Sequence, residues 1–217
     1  MIVHLVRHGQ SYNTHRAPDE PYPANPPLTP IGVQQAERVA MRMAALGIDR
    51  LLTSPMLRSV ETASKIAATT GLNIEVLVPC YEHRKQNGYM CFGSREILER
   101  YPDLIVGEDF GPDEWLYGEE TIERAMERAD QVVSWVRAQA TASRWRQIAV
   151  VTHGAITRVI LAHLLGVAPA ALDPIVFDNT SLTTLRVKPE GVAIAAINDS
   201  AHLGGLGEGD PAAGVTR

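Results

Sequence analysis

Two short segments, Val6-Arg7-His8-Gly9 and Val151-Thr152-His153-Gly154, each carry an apolar run into a histidine and then a glycine. A third, Thr53-Ser54-Pro55-Met56-Leu57-Arg58, closes another apolar run and brings an arginine to the start of a helical pattern. An apolar run that ends on a glycine turn reads as a buried strand. In an open parallel sheet, ligands bind beyond the carboxyl ends of the strands. Both histidines, with Arg7 and Arg58, are therefore expected on one rim. Any one of these groups alone would more often be structural; four on one rim point to function. Guanidinium groups grip phosphate oxygens bidentately, and a helix N-terminus adds oriented amides. Phosphate is the guest such a cationic cluster suits. A divalent metal is the competing guest for paired histidines. The two arginines oppose a dication, however, and neither an HExxH spacing nor a carboxylate cluster accompanies the pair.

The elements that must position these groups follow from periodicity. Met1 to Val6, Ile48 to Thr53, Ile74 to Val78 and Ile148 to Thr152 read as strands. Thr29-Pro30 reads as an N-cap followed by proline at the first helical position. Val33, Ala36, Val39, Ala40 and Met43 then recur at helical spacing up to Gly47. A second helix is expected from Ser54-Pro55 to about Thr69, a third from Thr121 to Ala140, and another from Ala155 to Leu165. Ser181 to Val187 and Val192 to Ile197 read as two closing strands around a turn at Pro189-Glu190-Gly191. Strands alternating with helices imply an α/β three-layer sandwich, its mostly parallel sheet covered on both faces.

The stretch 81–118 is the least regular, with Gly88, Gly93, Gly107, Gly111 and Gly118 and one short helix expected over Ser94 to Arg100. We read it as an active-site flap inserted in one domain spanning 1–203, followed by a glycine-rich, mobile tail at 204–217. The aromatics Tyr81, Tyr89, Phe92, Tyr101, Phe110, Trp115 and Tyr117 either line a substrate mouth there or form the flap's own small core.

Composition closes off other classes. At 217 residues, 45% hydrophobic and 21% charged, the chain is long and apolar enough for a core without staples. Its net charge of −5 disfavours bulk attraction to nucleic acid or an anionic membrane. The apolar run Ile156–Val167 is broken by Thr157, Arg158 and His163 and is too short for a membrane span. Two cysteines, Cys80 and Cys91, match neither a metal clip nor a redox pair. With no leader-like pattern at Met1-Ile2-Val3-His4, a reducing, cytoplasmic setting is expected. Oligomeric state is not legible.

Leu5-Val6-Arg7-His8-Gly9-Gln10-Ser11 resembles the signature of the histidine phosphatase superfamily, the phosphoglycerate-mutase-like fold. Pro27-Leu28-Thr29-Pro30-Ile31-Gly32, the Thr53–Arg58 segment with Glu61-Thr62-Ala63, Gly118-Glu119-Glu120, Val150–Gly154 and Asn179 follow in the family's order. The resemblance implies that His8 is a nucleophile that becomes a phosphohistidine, with Arg7, Arg58 and His153 on the phosphoryl oxygens. Glu82 stands where the family's proton donor stands, although Gly88 and Gly93 follow it later than usual. Glu96 is the fallback acid. Gln10 is an accepted choice for a further phosphate donor, whereas Asn13 lies one residue before the usual asparagine. His15 and His83 could reach the pocket mouth, but such residues are more often surface groups.

The implied activity is a metal-independent phosphomonoester hydrolase, without cofactor, acting on a small phosphorylated metabolite. Phosphoglycerate mutase is the alternative; such mutases carry a glutamate-arginine-histidine-tyrosine-glycine run where this chain has Glu82-His83-Arg84-Lys85-Gln86. A non-catalytic phosphate-binding scaffold is the third reading. It is opposed by the presence of His8, Arg7, Arg58 and His153 together.

Overall fold

The apolar run Ile2–Arg7 makes a strand, β1, at the centre of a six-stranded sheet. The computed structural model describes residues 1–12, 25–83, 89–113, 115–117, 120–142 and 145–204. In chain order, β1 is followed by α1 (Pro30–Leu46), β2 (Arg50–Thr53), α2 (Leu57–Thr70) and β3 (Ile74–Val76). Then come β4 (Tyr89–Cys91), α3 (Ser94–Arg100), β5 (Trp115–Tyr117) and α4 (Ile122–Ala142). The chain closes with β6 (Gln147–Thr152), α5 (Gly154–Leu165), β7 (Leu182–Lys188) and β8 (Gly191–Asp199).

The strand order is β3-β2-β6-β1-β7-β8. The first four strands run parallel, and β7 and β8 add an antiparallel edge. Because successive side chains of a strand point to opposite faces, β1 sends Val3 and Leu5 into one core and Val6 into another. The first core is closed by α4 and α5 through residues such as Ala129, Val132, Ile156 and Ile160. The second is closed by α1 and α2 through Val39, Met43, Val60 and Ile66. Helices thus cover both faces of the sheet, as the alternation of elements required.

Local signals explain the boundaries. The Thr29 hydroxyl accepts from the backbone N–H of Gly32 at 3.0 Å, and Pro30 opens α1. This is the side-chain cap that satisfies a first-turn donor. By contrast, α2 begins at Leu57 with Met56 as its cap, later than Ser54-Pro55 suggested. The Ser54 hydroxyl accepts from the Met56 N–H at 3.3 Å, so this segment turns before the helix starts. The strands β2 and β3 are also shorter than their apolar runs, and Val78–Cys80 forms a 3₁₀ turn instead of strand.

Within 81–118, α3 spans the expected residues, and β4 pairs antiparallel with β5 in a two-stranded sheet that periodicity did not announce. Phe110 is buried in the main core, with Phe92 and Tyr101 packed against the same cluster. Those three belong to the main core, not to a separate flap core. The side chains of Tyr89, Trp115 and Tyr117, and the tail at 205–217, lie outside the described residues. Among the described residues, no helix is long and apolar enough to cross a membrane.

Candidate active site

The site begins with a register. On neighbouring parallel strands, Arg7 of β1 lies opposite Thr152 of β6. The next residue of each strand, His8 and His153, therefore leaves the sheet at the same level. Their rings meet edge to face with centroids 5.0 Å apart. The loop after β1 can turn this tightly because two glycines cross: a Cβ on Gly9 would stand 2.6 Å from the Gly32 carbonyl oxygen. A Cβ on Gly32 would stand 1.9 Å from that of Gln10. No side chain fits at either place.

His8 is held at both ring nitrogens. Nδ1 lies 2.6 Å from the Gly9 carbonyl oxygen, an acceptor, so Nδ1 carries the proton. Nε2 then presents its lone pair, and Arg58 Nε donates to it at 3.0 Å. Burial, followed by the charges of Arg58 and Arg7, pushes the His8 pKa well below its usual 6.5. The ring is neutral at neutral pH. His153 is wholly buried, and burial with the charges of Arg58, His8, Arg128 and Arg7 lowers its pKa in the same way. The Ser54 hydroxyl lies 2.8 Å from His153 Nε2 and that of Ser59 3.4 Å. The tautomer in which Ser54 donates to Nε2 carries its proton on Nδ1, a buried atom without a hydrogen-bond partner among the described residues.

The backbone around His8 is clamped from the closing side of the sheet. The His8 carbonyl accepts from Asn179 Nδ2 at 3.1 Å and from the Thr180 N–H at 3.3 Å. Thr180 adopts φ 59, a left-handed conformation strained for a β-branched residue. The Arg7 N–H donates to the Ser181 carbonyl at 3.1 Å, and Arg7 Nη1 donates to the Phe177 carbonyl. Arg7, His8, Arg58 and His153 are all buried.

The two acids separate. The Glu82 carboxylate reaches α5, where Oε1 accepts from the Ile156 N–H at 3.0 Å and from the His83 N–H at 3.0 Å. This carboxylate thus lies on the first turn of α5, the helix that His153 caps. Glu96 instead lies on α3 in an i,i+4 pair with Arg100 at 2.9 Å. Gln10 is buried, and its Oε1 accepts from the Thr29 hydroxyl at 2.7 Å. Asn13, His15, Arg84 and Lys85 lie outside the described residues.

Three partners were not singled out from the sequence as site residues: Ser54 on His153, Asn179 on the His8 carbonyl, and Arg128. Arg128 had a readable signal. It interrupts the apolar face of α4 between Ala125 and Ala129, and an arginine at such a position is buried only when paired. Burial pushes the thiols of Cys80 and Cys91 up to about 12, so neither is a nucleophile at neutral pH. Among the described residues, no group of three or more His, Cys, Asp or Glu side chains gathers as a metal site.

Comparison with known proteins places the chain as a whole. The chain is 27% identical over 191 residues to phosphoserine phosphatase 1 of Hydrogenobacter thermophilus, covering 83% of this chain and 84% of that one. It is 28% identical over 216 residues to a probable phosphoglycerate mutase of Yersinia enterocolitica, covering 93% and 94%. Its fold matches a crystallised phosphoserine phosphatase variant of Entamoeba histolytica bound to phosphoserine. That match has a TM-score of 0.66 at 21% identity and covers 93% of this chain and 98% of the other. The family model of the histidine phosphatase superfamily, branch 1, matches residues 3–200. Since that span runs from β1 through β8 and takes in both histidine-bearing rims, the chain belongs to the histidine phosphatase superfamily.

Proposed function

We propose that this protein hydrolyses phosphomonoesters of small metabolites, His8 carrying the phosphoryl group between substrate and water. The observation that carries the reading is the state of His8: Nδ1 is committed to the Gly9 carbonyl and the Nε2 lone pair faces the Arg58 guanidinium. A neutral imidazole with a fixed tautomer is a nucleophile ready for phosphorus. In the first step the Nε2–P bond forms and the P–O bond to the alcohol breaks. Arg7, Arg58, the Nδ1–H of His153 and the side-chain amide of Gln10 hold the phosphoryl oxygens as their charge rises. Protonated Glu82 donates to the departing alkoxide. In the second step the Glu82 carboxylate takes a proton from water as the water oxygen bonds to phosphorus and the Nε2–P bond breaks, releasing inorganic phosphate and restoring neutral His8 and protonated Glu82. Fixed cations supply the charge, so neither step calls for a metal.

A small phosphorylated amino acid or sugar acid is the favoured substrate class, because the relative from Hydrogenobacter thermophilus is named a phosphoserine phosphatase. We assign that choice to the segment 81–118, which carries Glu82. The likeness to the Yersinia enterocolitica protein favours a second reading, phosphoryl transfer between the hydroxyls of phosphoglycerate. The acidic net charge of −5 and the two buried thiols fit a soluble cytoplasmic enzyme that engages neither nucleic acid nor membrane. The test is a panel of phosphorylated metabolites, phosphoserine and 3-phosphoglycerate among them, incubated with the enzyme in excess chelator. Release of inorganic phosphate supports hydrolysis. Conversion of 3- to 2-phosphoglycerate without release supports the mutase, and loss of all turnover restored only by a divalent ion overturns the metal-free reading.

A further inference from the structure

Behind Glu82 lies a buried ion pair, Arg128 with Glu120, whose arginine charge is also felt by His153. Arg128 Nε donates to Glu120 Oε1 at 2.9 Å and Nη2 to Oε2 at 2.5 Å, a bidentate fork. The side chains of Arg128 and Glu120 are only 7% and 9% exposed. Taking two charges out of water is costly, and such a pair is weak evidence for stability alone. What else it holds is therefore informative. Arg128 Nη1 donates to the carbonyls of Pro79 at 2.8 Å and Tyr81 at 2.6 Å, and the guanidinium stacks 3.6 Å from the Tyr81 ring centroid. The Tyr81 hydroxyl donates to Glu120 Oε1 at 3.2 Å. His83 Nδ1 lies 3.0 Å from Glu120 Oε2.

Apart from the bond to Pro79, every contact named here that the pair makes outside itself falls on a residue beside position 82. Tyr81 is gripped by its carbonyl, ring and hydroxyl, and His83 by its imidazole. Glu82, between them, is left to point at the first turn of α5.

We propose that Arg128 and Glu120 are positioning residues that set the aim of Glu82 by clamping the residue on each side of it. This rests on the reading of Glu82 as proton donor. Although burial opposes the charge on Glu120, bonds from His83 and Arg128 hold its carboxyl at about 2, so the clamp is fully charged at neutral pH. Proton transfer in the transition state demands a donor within hydrogen-bond reach. A displacement of about 1 Å can cost on the order of 100-fold.

The test compares an alkyl phosphate with p-nitrophenyl phosphate, whose leaving group needs no proton. Arg128→Lys keeps the charge opposite Glu120 but loses the fork that reaches two carbonyls. It is expected to lower kcat for the alkyl ester about 10–100-fold and for the aryl ester less than about threefold. The double variant Glu82→Gln/Arg128→Lys should be no slower on the alkyl ester than Glu82→Gln alone, because residues acting through one step are not additive. Should Arg128→Lys fail to fold, Glu120→Gln carries the same expectation, since the amide oxygen still accepts from Arg128. If Glu82→Gln is selective for the alkyl ester but the clamp variant slows both esters alike, or multiplies the loss in the double variant, the inference is overturned and the role of Glu82 stands. If Glu82→Gln itself shows no selectivity, the proton-donor reading falls and the clamp with it.

Discussion

Arg58 Nε donates to His8 Nε2 at 3.0 Å, so the guanidinium sits on the lone pair assigned to attack phosphorus. The contact has two consequences. It stabilises the neutral imidazole against protonation, and it places a cation within reach of any phosphoryl group that bonds to Nε2. In the proposed mechanism, an incoming phosphate oxygen replaces the ring nitrogen as the acceptor of that N–H. Nucleophile and charge stabiliser are thus aligned before substrate arrives, which is where electrostatic preorganisation has its effect.

Replacing Arg58 by lysine tests that alignment. Lysine retains the charge but presents one compact ammonium in place of the planar fork. We expect kcat to fall about 10²–10³-fold, the loss typical of one oriented donor, with the circular dichroism spectrum unchanged. Steady-state kinetics on any accepted phosphomonoester reads the effect, and a loss below about threefold contradicts the role given to Nε.

The two buried histidines make stability depend on pH. Burial first, then neighbouring cations, holds His8 and His153 well below 6.5 in the folded protein. Unfolding returns both to that usual value, so below pH 6.5 the unfolded chain binds protons that the folded chain refuses. Their contribution is complete above pH 6.5 and is lost as pH falls through the window towards the folded values. Each can add a slope approaching about 1.4 kcal/mol per pH unit. Urea midpoints should therefore drop on acidification from about pH 7 to pH 5. The drop should be shallower in His153→Asn. Parallel curves for the two proteins would count against the neutral, buried state of His153.

Glu82 and Glu96 are separable by leaving group. General acid catalysis contributes about 10²–10⁴-fold and matters most when the departing oxygen is a poor leaving group. Glu82→Gln should cripple hydrolysis of an alkyl phosphate far more than that of p-nitrophenyl phosphate. Glu96→Gln, altering only the partner of Arg100 on α3, should change neither. Selective loss at Glu96 would reverse the assignment.

Gly32→Ala probes the crossing of the loop after β1 over the first turn of α1. The new Cβ would stand 1.9 Å from the Gln10 carbonyl oxygen, a backbone atom that cannot swing aside. We expect a melting temperature lowered by several degrees or more, as overpacking costs about 1–3 kcal/mol. Catalysis should fall too, because the displaced backbone belongs to the loop that carries His8. A variant as stable and as active as the parent would contradict the tight crossing.

What could be read in the sequence were features encoded within a few residues. An apolar run ending in His8-Gly9 or His153-Gly154 states its own strand and turn, and Thr29-Pro30 states its own cap. The shared rim followed from parallel topology, and the register of Arg7 with Thr152 makes it concrete. The partners in contacts across long separations could not be read locally, even where the residue itself stood out. Asn179 reaches the His8 carbonyl across 171 positions, and Arg128 reaches the Tyr81 carbonyl across 47. The left-handed backbone at Thr180 was equally hidden, since a β-branched residue is the last expected there. The pairing of β4 with β5 was missed because three-residue strands are too short for a period to show.

The most direct measurement is to trap the intermediate. Enzyme mixed briefly with a phosphomonoester and quenched in alkali, which preserves phosphohistidine, is digested and analysed by mass spectrometry. The account predicts one phosphoryl group on the peptide carrying His8, absent from folded His8→Ala, which should also have lost turnover. Phosphate bound covalently to another residue, or undiminished turnover in His8→Ala, would contradict it.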